Sequence, residues 1–165
     1  PHRSVVDRAS AQHGLPPHLV YATMKQESMF NPLALSTAGA VGLMQIMPRT
    51  GTVVAAEAGL SQPDLRDPET NLLLGVRFLS ALLVRYGDRR LALAAYNAGP
   101  TRLQEWLTLR AGMDVDEFME SLPFAETRGY YRRVLRFAED YDIVYTLYPD
   151  VPAAAAPQIP LFAGQ

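Results

Sequence analysis

The sequence predicts an all-α fold, and three observations carry that prediction. Glycine and proline cut the chain into segments of helical length. The last of these segments sets Val134, Phe137, Ala138, Tyr141, Val144 and Tyr145 at offsets 0, 3, 4, 7, 10 and 11, which is one face of an α-helix. Nowhere does a segment sustain the period-two alternation of a half-buried strand, so few strands or none are expected.

The elements follow in order. Ser4 to His13 forms a first helix, stopped by Gly14. Pro16 and Pro17 pre-set the start of a second, because proline fits a first turn that needs no amide donor. It is expected to run to Phe30 and to end at Asn31-Pro32. Residues 31–45, rich in Gly, Ser, Thr and Asn, read as a long loop. Pro48 opens a helix reaching Ala58, with Gly59 as its stop. Asp67-Pro68 caps the most apolar helix, Glu69 to Tyr86, which Gly87 ends. Arg89 to Asn97 is short and closes on Gly99-Pro100. The next helix starts at Pro100 or Thr101 and carries the only tryptophan, Trp106. Asp114 followed by Glu117 has the spacing of an acidic capping box. Pro123 precedes the last helix. Residues 1–148 therefore read as one globular unit, and 149–165 as an Ala- and Pro-rich linker or extended arm.

Composition narrows the function. The chain has 165 residues, 48% of them hydrophobic and 19% charged, which excludes a disordered polyelectrolyte. The net charge of -2 argues against a general affinity for nucleic acid, and Glu139, Asp140 and Asp142 offset Arg128, Arg132, Arg133 and Arg136 on the last helix. With no cysteine there is no disulfide scaffold, thiol nucleophile or cysteine zinc site. His2, His13 and His18 are scattered and suggest no metal centre, so no cofactor is expected. No apolar run is long enough to cross a bilayer, and no secretory signal stands at the start.

Glu27 is the first candidate for chemistry. Val20, Met24 and Glu27 lie at i, i+4 and i+7, so the carboxyl rides on the apolar face of its helix. Lys25 points elsewhere and does not neutralise it. Desolvation disfavours the charged form, so the group should hold its proton near neutral pH and serve as a general acid. The plain alternative is a glutamate at a helix end reaching solvent. The loop from Ser36 to Pro48 sets Gly39 and Gly42 beside Gln45, whose amide both donates and accepts; read alone, it is a loop tucked under by Leu43, Met44 and Ile46. In Ala94-Ala95-Tyr96-Asn97-Ala98-Gly99-Pro100 a helix end accounts for Asn97 and Gly99, and less well for Tyr96 with its stackable ring and hydroxyl. Glu126, in Glu126-Thr127-Arg128-Gly129-Tyr130, suits a first helical turn without any further role, and Arg128 suits a structural partner.

Taken jointly, Gln26-Glu27-Ser28, the loop ending Gly42-Leu43-Met44-Gln45-Ile46-Met47-Pro48, Ala95-Tyr96-Asn97-Ala98-Gly99-Pro100 and Glu126-Thr127-Arg128-Gly129-Tyr130 occur in the order found in the soluble, Slt-type lytic transglycosylases. From about His13 to Tyr148 the chain resembles the catalytic domain of that family. The resemblance implies a mostly α-helical, lysozyme-like fold of the goose type with a groove for glycan strands. It implies cleavage of the β-1,4 bond between N-acetylmuramic acid and N-acetylglucosamine in peptidoglycan, leaving 1,6-anhydromuramyl ends. Carried over, Glu27 is the catalytic acid and then base, and Ser28, Ser36, Gln45, Met47, Tyr96, Asn97 and Glu126 line the groove. No metal or cofactor is implied. The setting would be the periplasm or cell envelope, and the protein a monomer, with further domains beyond the termini. The rivals are a lysozyme-type hydrolase, in which Glu126 could be a second carboxylate, and a non-catalytic glycan-binding module.

Overall fold

A computed structural model describes residues 2–147; the 149–165 segment and the boundary before it lie outside the described residues. Eight α-helices make up the described chain: α1 Arg3–His13, α2 Pro17–Ser28, α3 Pro48–Glu57, α4 Pro68–Tyr86, α5 Arg89–Ala98, α6 Pro100–Leu109, α7 Val115–Glu120 and α8 Ala125–Leu147. Four of them begin with proline in the first turn, as the sequence predicts. The Asp67 carboxylate accepts from the Thr70 amide at 2.8 Å, and Asp114 from the Glu117 amide at 2.9 Å. Gly14 and Gly87 close α1 and α4 in the left-handed conformation. Strand pairing among the described residues is limited to two isolated bridges, Leu35 with Val41 and Val41 with Ile46. None of these helices is long and apolar enough to cross a membrane.

One boundary departs from the sequence reading. Helix α2 ends at Ser28, two residues early, because Met29 (φ 51°) and Phe30 (φ 63°) both turn left-handed. Neither residue favours that region, so the conformation is imposed by the surroundings. The turn brings the following loop back over the helix end, where the Ser28 hydroxyl donates to the Leu43 carbonyl at 2.9 Å.

The core positions the site through two packing interfaces. The α2 helix lies against α8, burying Val20, Met24, Val134 and Ala138. Further along that seam Tyr21 stacks on Tyr145 with centroids 5.5 Å apart, and the Lys25 ammonium sits 4.2 Å from the centre of the Phe137 ring. Lys25 is thus engaged by the α8 rings and makes no ion pair with Glu27 among the described residues. The second interface holds the 31–47 loop on α4. Leu43, Met44 and Ile46 are buried, which obliges their backbone to find partners inside the protein. Asn71, fully buried on α4, supplies the one for the Met44 amide and ties in two neighbouring carbonyls. Its Oδ1 accepts from the Met44 amide at 2.8 Å, and its Nδ2 donates to the carbonyls of Val41 (2.8 Å) and Leu65 (2.9 Å). One turn along α4, Gly75 lets the helix touch Met44: a Cβ at position 75 would stand 2.5 Å from that of Met44. Gly42, at φ +78°, is equally constrained, since a Cβ there would fall 2.4 Å from Asn71 Nδ2.

Candidate active site

Glu27 occupies the last turn of α2, facing α8. The Tyr130 hydroxyl of α8 donates to Glu27 Oε1 at 2.5 Å. Burial pushes the Glu27 carboxyl up to about 7 from 4.5; the Tyr130 hydrogen bond opposes that rise, and the nearby charge of Glu126 adds to it. Burial and the charge of Glu27 hold the Tyr130 and Tyr96 hydroxyls well above the usual phenol range, so both stay protonated. One carboxyl oxygen is therefore committed to Tyr130, leaving the other to carry the exchangeable proton. The group can hold a proton at neutral pH, release it, and remain as a carboxylate braced by a phenol donor.

The other site residues divide into those beside Glu27 and those that shape the loop. Tyr96, at the end of α5, stands close enough to sense the Glu27 charge; its hydroxyl donates to the Met44 carbonyl at 2.8 Å, and its ring packs 5.3 Å from that of Phe78. Asn97 accepts from the Thr127 hydroxyl at 2.8 Å, which joins α5 to the first turn of α8 and leaves its Nδ2 as a free donor. Glu126 is exposed in that same turn. Arg128 donates to the Leu122 carbonyl, a structural partner of the kind expected.

Ser28, Gln45 and Ser36 are bound into the backbone. The Ser28 hydroxyl is shared between the Leu43 carbonyl (2.9 Å) and the Met24 carbonyl (3.2 Å). Gln45, itself at φ 47°, gives its Nε2 to the carbonyls of Ala34 (3.1 Å) and Gly42 (2.9 Å), so only its Oε1 is left to meet a ligand. Ser36 Oγ accepts from the Ala40 amide at 2.9 Å and keeps its own proton to offer. Met47, 42% exposed, caps the start of α3. No hydrogen bond links Ser36, Gln45 or Met47 to Glu27 among the described residues. Two cavities lie elsewhere: one of about 130 Å³ under Leu91, Leu107, Met113 and Phe118, and one beside Arg85, Gln104 and Leu109. Among the described residues, no three His, Asp or Glu side chains gather as a metal site would require.

Two residues of the site escape sequence reasoning. Tyr130 is legible only as the end of the Glu126 motif, although the interval of four residues puts the two on one helical face. Asn71 sits inside the most apolar helix, and a buried amide in such a setting is a signal in itself.

A half-buried glutamate presented by a helix, a phenol donor on its oxygen and a loop pinned beside it make a candidate general-acid site on a helical scaffold. The chain belongs to the transglycosylase SLT domain family, whose model matches residues 4–118. It is 44% identical to the soluble lytic murein transglycosylase of Escherichia coli strain K12 over 133 residues, covering 77% of this chain and 21% of that protein. The transglycosylase of Enterobacteria phage PRD1 is 40% identical over 101 residues, 61% of this chain and 36% of its own length. Among solved structures, an inactive mutant of the lytic transglycosylase Slt from Pseudomonas aeruginosa superposes with a TM-score of 0.80 at 36% identity, covering 88% of this chain and 24% of that one. The 70-kDa soluble lytic transglycosylase of Escherichia coli gives a TM-score of 0.79 at 38% identity, covering 87% and 25%. The chain thus has the lysozyme-like helical fold of these enzymes and spans about a fifth of the length of its soluble relatives.

The site makes pH dependence a two-way test. A general acid must be protonated to act, so with Glu27 in that role activity would fall on the alkaline side as it ionises. Tyr130→Phe removes a donor that favours the ionised form, and the alkaline limb of kcat should move to higher pH. Glu126→Gln removes a like charge, and the limb should move to lower pH. Pre-steady-state cleavage rates across pH check both directions; shifts of the same sign in the two variants would contradict the account.

Proposed function

We propose that this domain cleaves peptidoglycan strands without water, at the β-1,4 bond between N-acetylmuramic acid and N-acetylglucosamine. The observation that carries the reading is the half-buried Glu27 carboxyl, held by Tyr130 and pushed up to about 7. Glu27 first gives its proton to the glycosidic oxygen as the bond from the anomeric carbon breaks. The muramyl C6 hydroxyl then bonds through its oxygen to that carbon, and its proton goes to the Glu27 carboxylate. The products are a 1,6-anhydromuramyl end and a free hydroxyl, and Glu27 is protonated again. Ordinary glycosidases need a second carboxylate as nucleophile or base. Here the nucleophile belongs to the substrate, and its proximity supplies much of the advantage. A proton affinity near neutrality serves both the giving and the taking.

Around that step, Tyr96, Asn97 Nδ2, the Ser36 hydroxyl, Gln45 Oε1, Met47 and Glu126 face the glycan. Ser28 acts through the loop, because its proton is committed to the Leu43 carbonyl. The domain works in the periplasm or cell envelope as a monomeric unit, alongside further domains where its chain is longer. The family relationship and the names of its relatives support the substrate class.

Digestion of cell-wall sacculi followed by mass spectrometry of the muropeptides tests the reaction. Products lighter by one water and lacking a reducing end are expected. Reducing ends alone would replace this reading with a lysozyme-type hydrolysis in which Glu126 activates water.

A further inference from the structure

The hydrogen bond between Tyr130 and Glu27 is one crosslink of the α2–α8 seam, and the next crosslink has a different chemistry. Arg133 Nε donates to Gln26 Oε1 at 2.9 Å. Tyr130 and Arg133 are three residues apart, so they share a face of α8 and differ by roughly 4.5 Å along its axis. Arg133 is exposed. Gly129 gives its guanidinium room to fold back along the helix, since a Cβ there would stand 2.7 Å from Nη1. The Arg133 charge reaches the Tyr130 hydroxyl and partly counters the effect of burial there.

The pair presents donors alone. A guanidinium N–H can only donate, which turns the Gln26 amide oxygen inward and its Nε2 outward. Neither Arg133 Nη1 nor Nη2 has a protein acceptor among the described residues, and neither does Gln26 Nε2. The adjacent Arg132 is by contrast bound to Glu120. A planar fork of N–H groups beside a second amide donor, with no ion pair of its own among the described residues, matches the geometry of a carboxylate ligand.

We propose that Arg133 and Gln26 form a carboxylate-binding site one helical turn from the catalytic glutamate, making Arg133 a specificity-determining residue. The inference rests on the peptidoglycan reading above. A muramyl unit in the cleavage position carries a lactyl group at C3, a few ångströms from its anomeric carbon. Its carboxyl is free in peptide-stripped strands and otherwise joined to a stem peptide with carboxylates of its own. Either source offers the same chemistry to the fork.

Binding to a Glu27→Gln protein, which removes turnover, separates these cases. The ligands are native glycan strands, strands stripped of peptide by an amidase, and strands whose carboxylates have been converted to amides. Adding Arg133→Ala should weaken native strands about fivefold, the upper range for an exposed charge pair, and leave amidated strands unaffected. Arg133→Lys should recover part of the loss. Gln26→Glu, which keeps the crosslink but fills the fork with a protein carboxylate, should weaken native strands in the same sense. Loss that persists on peptide-stripped strands assigns the lactyl carboxylate, and loss confined to native strands assigns the stem peptide. Equal losses on native and amidated strands, or none on any, would overturn the proposal. Failure of the cleavage reading would show separately, in the products of wild-type digestion.

Discussion

Glu27→Gln is expected to lower cleavage of sacculi by about 10⁴-fold, the upper range for general acid–base catalysis, because in the proposed reaction one group serves both proton transfers. The same substitution should stabilise the fold at alkaline pH. Glu27 binds its proton up to about pH 7 when folded and up to 4.5 when exposed. Between those values the folded state holds more protons than the unfolded state, so stability falls as pH rises through that window. At 1.36 kcal/mol per pH unit, the gap from 4.5 to about 7 limits the cost at pH 8 to about 3 kcal/mol. Glutamine carries no such cost. Thermal melting should show the variant matching the wild type near pH 4 and exceeding it at pH 8. Equal melting temperatures at both would mean that the carboxyl is well solvated.

Asn71→Ala should have the largest effect on stability. Alanine leaves the Met44 amide and the Leu65 carbonyl unpaired in a buried setting, while the Val41 carbonyl keeps the Ile46 amide. At 1–3 kcal/mol for each of the two abandoned groups, partly relieved by water entering, the loss is about 2–4 kcal/mol. For a domain of this size that lowers the melting temperature by about 10 °C. Activity should fall with it even at temperatures where the variant stays folded, because the Met44 carbonyl that orients Tyr96 is no longer held. Hydrogen exchange at the Met44 amide reports the release directly. A variant within 0.5 kcal/mol of the wild type would show that the loop is anchored by its apolar side chains instead.

Local signals made most of this architecture legible. Pro17, Pro48, Pro68 and Pro100 mark helix starts by a rule confined to one turn, and Asp67 and Asp114 cap where their spacing says they should. The periodicity from Val134 to Tyr145 identifies the face of α8 that meets α2. The end of α2 was not legible, because Met29 and Phe30 turn left-handed against their own preference to satisfy a contact with residues fifteen positions away. Within the site, the apolar setting of Glu27 follows from its position beside Val20 and Met24. Its partner Tyr130, 103 residues later, depends on how two helices meet, which no spacing records. Gln45 illustrates the same limit: the sequence offers an amide with free donors, and the folded loop spends both on its own carbonyls.

The proposed reaction requires that one half-buried carboxyl change protonation state near neutral pH. Carbon-13 NMR titration of glutamate-labelled protein tests it directly, with Glu27→Gln identifying the resonance. A Glu27 carboxyl midpoint near 7 is expected. A midpoint near 4.5 would contradict it, since the group would then be ionised wherever the enzyme works and would have no proton to give.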